Sequence, residues 1–146
     1  MIQALNWIFL GGKLRILSIS ATAGNSSATL SPGSGKRWII LYGRIELSTS
    51  ADTGDRYIFV EIDDGSNSLL KLPRNSGAIT ASQTKSLEIA PYGFCLNTGN
   101  QAPSVGHVGL ALPLIIEGSM RLKVSISGGF AGDSFTGKFV VLEVPV

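Results

Sequence analysis

The run Met120-Arg121-Leu122-Lys123-Val124-Ser125-Ile126-Ser127 decides the fold class. Apolar side chains hold every even position and polar ones every odd position. That two-residue period belongs to a strand with one buried and one wet face. Outward from it the same period recurs. In Trp38–Ser48, Ile39, Leu41, Ile45 and Leu47 are expected on one face. Trp38, Ile40 and Tyr42 fall on the other, before Arg44 and Glu46 turn it polar. In Arg56–Asp64, Ile58, Val60 and Ile62 oppose Tyr57, Phe59, Glu61 and Asp63.

Residues 13–19, 68–72, 85–89, 110–116 and 138–144 read as further strands. With 28–30 as a short addition the count is about eight. Turn residues fall between them, as in Ser31-Pro32-Gly33-Ser34-Gly35, Asp63-Asp64-Gly65-Ser66-Asn67 and Gly128-Gly129. Short strands at regular spacing with turn signals predict an all-β fold, a single antiparallel β-sandwich that is jelly-roll-like. Residues 13–146 form that domain, and residues 1–12 an apolar N-terminal arm or a first strand. The stretch 96–108 is polar and aperiodic, and is expected as a loop that makes contacts or crosses between the sheets.

The chain has 146 residues, enough to bury a core in one domain. It is 44% hydrophobic, too apolar for disorder, yet only 15% charged, which is low for an isolated, well-solvated surface. That balance, with 18 glycines, points to a surface partly covered by partners. Twelve basic residues against ten acidic give a net charge of +2, and no basic run exceeds Lys36-Arg37. Nucleic acid is therefore not an expected partner. The apolar run Met1–Leu10 is too short to span a bilayer and lacks the basic start of a signal peptide, so no membrane is expected either. Within it Ile2, Leu5, Trp7, Ile8, Phe9 and Leu10 are the candidate interface residues, docking on this domain or on a neighbour. The one cysteine, Cys95, excludes an intrachain disulfide and reads as a small buried hydrophobe.

Chemistry is sparse. One histidine, His107, and one cysteine cannot build a zinc site, and no Gly-x-Ser-x-Gly elbow accompanies the histidine. Glu46 and Glu61 are the carboxylates that a glycosidase would need, expected on adjacent strands beside Tyr42 and Phe59. The ordinary reading, Glu61 opposite Arg44 as a cross-strand pair, is preferred. Asp63, Asp64, Ser66 and Asn67 supply oxygens for calcium, but the spacing departs from an EF-hand loop and suits a hairpin tip. Trp38 is expected in or near the core, and Tyr57 and Tyr92 are the aromatics to test for glycan binding. The expectation is a protein with no catalytic residues, no metal and no cofactor, and not an enzyme.

Taken together, Trp38–Leu47, Asp55–Ile62, Ala81-Ser82-Gln83-Thr84, Leu112–Gly118 and Ala131-Gly132-Asp133 resemble small jelly-roll virion structural proteins of tailed bacteriophages. The resemblance spans roughly residues 36–146 and includes head-decoration (cement) and fibre-head types. It carries over no ligand or catalytic residue. It implies a capsid decoration or cement protein, made in the host cytoplasm and located in the virion. Such a protein associates with itself as a homotrimer and with the major capsid protein or another virion protein. The alternative it leaves open is a carbohydrate- or receptor-binding module of a phage fibre.

Overall fold

A computed structural model describes residues 11–22, 27–72, 78–91, 106–110 and 113–146. Its described residues form ten strands and no helix: β1 (Lys13–Thr22), β2 (Ser27–Leu30), β3 (Lys36–Ser48), β4 (Tyr57–Asp63), β5 (Ser68–Lys71), β6 (Thr84–Pro91), β7 (Gly106–Leu110), β8 (Leu114–Glu117), β9 (Arg121–Ser127) and β10 (Ser134–Pro145). One sheet has the order β1-β10-β3-β6-β7 with β8 also paired to β3; the other is β2-β9-β4-β5. The protein is an all-β sandwich.

The pairing is nested. β1 pairs with β10, β2 with β9, β3 with β8 and β4 with β5, all antiparallel. This is a long two-stranded ribbon rolled on itself, and the rolling adds the β10–β3 and β9–β4 pairs. Nested pairing of this kind is the jelly-roll arrangement. β6 and β7 are inserted between β5 and β8, and their mutual pairing is parallel, a departure from the purely antiparallel expectation.

The two inner faces make the core. Ile19, Ile45, Leu47, Leu87, Ile89, Phe135, Phe139 and Val141 come from one sheet, and Ile58, Val60, Ile62, Leu122, Val124 and Ile126 from the other. Burial of these aliphatic and aromatic side chains from two half-wet sheets is the main force holding the sandwich closed.

Three sequence expectations need correction. The segment 110–116 is not one strand. β7 ends at Leu110 and β8 begins at Leu114, after Pro113, which has no N–H to give a ladder. The loop expected over 96–108 is also shorter, because Gly106, His107 and Val108 belong to β7; the rest of it lies outside the described residues.

The third correction concerns faces. Val141 pairs with Ile40 but Val140 pairs with Tyr42, so Leu41 is an extra residue on β3. A bulge of one residue reverses the side on which later side chains fall. Trp38 and Ile40 therefore share the inner face with Ile45 and Leu47. Ile39 and Leu41 lie on the outer face with Tyr42, Arg44 and Glu46.

Candidate interaction surface

The register fixes the outer face of the larger sheet row by row. Leu14, Leu142, Ile39 and Ile115 lie side by side across β1, β10, β3 and β8. The next row holds Ile16, Val140 and Tyr42. Beyond it come Ser18, Lys138, Arg44 and Glu88, and then Ser20, Thr136, Glu46 and Ser86. One end of this face is thus apolar and the other polar, and the change falls where β3 is bulged. Ile39, Leu142 and Val144 are buried with Leu41 packed against them, a cluster separate from the main core. At its border Leu14 is 65% exposed, Ile16 69% and Ile115 43%. The polar end is a shallow depression lined by Ser18, Ser20, Arg44, Glu46, Thr136 and Lys138. Arg44 there approaches Glu46 at 3.7 Å and Glu88 at 4.0 Å, weak partly solvated pairs.

The outer face of the smaller sheet is different, because its charges are paired. Lys123 Nζ lies 2.8 Å from Glu61, Ser68 Oγ donates to the same carboxylate at 3.2 Å, and Lys71 stands 4.3 Å above the Phe59 ring. Glu46 and Glu61 therefore sit on opposite outer faces of the sandwich, in different sheets, and do not form a two-carboxylate site. Nor does Glu61 face Arg44; its cross-strand partner is Lys123. The hydrogen bond from Lys123 holds the Glu61 carboxyl below its ordinary value, the wrong direction for a general acid. The Phe59 ring, with Lys71 already over it, is not a free platform for a sugar.

At the β4–β5 hairpin the carboxylates are occupied by donors. Asp64 Oδ1 accepts from the Ser66 and Asn67 amides at 2.8 and 2.7 Å. Asp63 Oδ1 accepts from Arg121 Nε at 2.6 Å and from the Gly65 amide at 3.0 Å. These bonds lower both pKa values, that of Asp63 chiefly through Arg121 and that of Asp64 chiefly through the Asn67 amide. These oxygens shape the hairpin turn that the sequence suits. Among the described residues no three His, Cys, Asp or Glu side chains converge on a metal-sized site, and no helix is long and apolar enough to cross a membrane.

One arrangement was missed in the sequence. Arg56 and Asp133 are both wholly buried, with Arg56 Nε 3.0 Å from Asp133 Oδ2. Arg56 also donates to the Gly54 carbonyl at 2.7 Å and to Ser50 Oγ at 3.1 Å, and its guanidinium lies 4.5 Å over the Phe130 ring. Asp133 accepts the Ser50 and Phe130 amides at 2.7 and 2.8 Å. Burial pushes the Asp133 carboxyl up, but the Arg56 hydrogen bond and the two amides outweigh it and hold the pKa at about 2. The pair ties the β3–β4 and β9–β10 connections together at one end of the sandwich. Arg56 has the parity of Ile58, Val60 and Ile62, which was the signal: a charge on a core-facing position requires a buried partner.

Trp38 belongs to the core as expected, and its indole Nε1 donates to Glu143 at 3.0 Å. Tyr57 is on the outer face of the smaller sheet, half-buried. His107 lies in β7, with only its backbone described. The candidate interface residues Ile2, Leu5, Trp7, Ile8, Phe9 and Leu10 lie outside the described residues, as do Tyr92 and Cys95.

No family model and no curated protein matches this chain. Among solved structures it is similar to a protein of the Bacillus endospore appendages, disulfide-linked pili, at 11% identity and a TM-score of 0.38, over 92% of this chain and 88% of that one. It is similar to a CBM4 structure, a carbohydrate-binding module, at 10% identity and a TM-score of 0.31, over 90% of this chain and 84% of that one. It is also similar to a chain of infectious bursal disease virus, Gx strain, at 11% identity and a TM-score of 0.31, over 90% of this chain but 38% of that one. At these values none of the three says what this chain does.

Proposed function

We propose that this chain is a virion structural protein, a decoration or cement protein of a tailed-phage head, that works by assembly and catalyses nothing. The observation that carries the reading is the apolar end of the larger sheet's outer face, where Leu14, Ile16 and Ile115 are exposed on a chain only 15% charged. These exposed side chains border a buried apolar cluster on an outer sheet face, and large exposed apolar side chains grouped at such a border suit a contact site. Jelly rolls serve as viral capsid and lectin domains alike, so the fold is compatible with this role without selecting it. Its partners are copies of itself, as a homotrimer, and the major capsid protein.

The test is removal of residues 1–10, the apolar stretch that precedes the described domain. Three-fold association, read as mass in solution, and binding to purified heads should both be lost while the circular dichroism of the sandwich is kept. Unchanged assembly and unchanged head binding would overturn the reading.

A further inference from the structure

Strand β1 is an edge. Among the described residues it pairs with β10 alone, in ten consecutive register steps without a bulge. Edges of natural sheets are ordinarily blunted by charge, proline, bulges or brevity, because an open row of N–H and C=O groups recruits another strand. β1 has none of these defences over most of its length. It contains no proline and no glycine, and its two charges, Lys13 and Arg15, stand at its start. The following seven residues, Ile16–Thr22, are uncharged and rich in strand formers, a composition that pairs readily with other strands. The two most exposed large side chains of the apolar border, Leu14 and Ile16, stand on this same strand.

We infer that β1 is the seam at which two copies of this chain join, edge to edge and antiparallel, about a two-fold axis at Ile16. The charges choose the direction. Parallel pairing in register would set Lys13 against Lys13 and Arg15 against Arg15, which is destabilising across a sheet. Antiparallel pairing centred on Ile16 sets Lys13 against Ile19 of the second copy and Arg15 against Leu17 of the second copy. Burial chooses the centre. Ile16 then meets Ile16 of the second copy and Leu14 meets Ser18 of the second copy, so the Ile16–Val140–Tyr42 rows of the two outer faces run on as one strip and each apolar end lies beside the other copy's polar end. Both sandwiches stay on the same side of the joined sheet, because even positions oppose even positions. The contact is isologous and closes on itself. It rests on the self-assembly reading above but is separate from a three-fold contact. On a particle it would link one oligomer to the next.

The test uses the full chain with Cys95→Ser and three further changes, read by mass in solution and by oxidative cross-linking. Ile16→Cys should give a disulfide-linked pair under mild oxidation, since directly opposed residues across a seam come within bonding reach. Leu14→Lys should weaken association at least tenfold. Leu14→Lys with Ser18→Glu should restore it, because the new charges oppose each other only in this register, and a folding defect would not be repaired that way. Failure of both the cross-link and the rescue while larger assemblies persist would overturn the seam and leave self-assembly standing. A wild-type chain that is monomeric at every concentration would overturn both.

Discussion

The Cδ1–Cε1 edge of the Phe139 ring points at Gly43, its register partner on β3, so closely that a Cβ added to Gly43 would come within 2.6 Å of both ring carbons. Phe139 is fully buried and cannot swing aside. Gly43→Ala should therefore overpack the core and cost about 1–3 kcal/mol. Urea unfolding measures this directly, and a loss within experimental error would show that the inner face at β3 has room for a methyl group beside Phe139.

The Arg56–Asp133 pair should resist single substitutions badly. Arg56→Met leaves a buried carboxylate with two amides but no cation, and a loss of about 3–5 kcal/mol is expected. Replacing both residues by apolar ones of similar size should cost much less than the sum of the two single changes, because no charge is then left alone. A double-mutant cycle reads the coupling, and additive losses would contradict a shared buried site.

The same pair sets an acid limit. Asp133 has its folded pKa depressed from 3.8 to about 2, so the unfolded chain binds the proton more readily. The stabilisation, about 2 kcal/mol, is full above pH 3.8 and is lost as pH falls toward 2. Asp63 and Glu61, also depressed, add to it in the same direction. Asp133→Asn should flatten the fall in stability between pH 4 and pH 2 in denaturant titrations, relative to wild type. An unchanged slope would mean that other carboxylates carry the acid limit.

Glu61 and Glu46 should behave as surface charges. Glu61→Gln removes a partly exposed pair with Lys123 and should change stability by no more than about 1 kcal/mol, with no effect on assembly. Loss of a catalytic turnover on substituting either residue would overturn the assembly reading altogether.

Much of the sandwich was legible because its strands keep one wet face. Leu122, Val124 and Ile126 are buried as the alternation in β9 requires, and Ile58, Val60 and Ile62 in β4 likewise. The faces of β3 were not legible beyond Leu41, because a two-residue period cannot announce the extra residue that reverses it. Pairings such as β6 with β7 depend on residues far apart in the chain and leave no local mark. That Glu61 pairs with Lys123 and not with Arg44 depends likewise on which strands are neighbours. Arg56 was readable from its parity, whereas its partner Asp133, 77 residues away, was not. The apolar end of the outer face was hidden for the same reason as the bulge that creates it.

Sedimentation equilibrium of the intact chain from micromolar to millimolar concentration tests the assembly reading most directly. A mass that rises with concentration to a multiple of 15.3 kDa is the expected result. A single 15.3 kDa species throughout, with Leu14 and Ile16 still open to solvent, would contradict it.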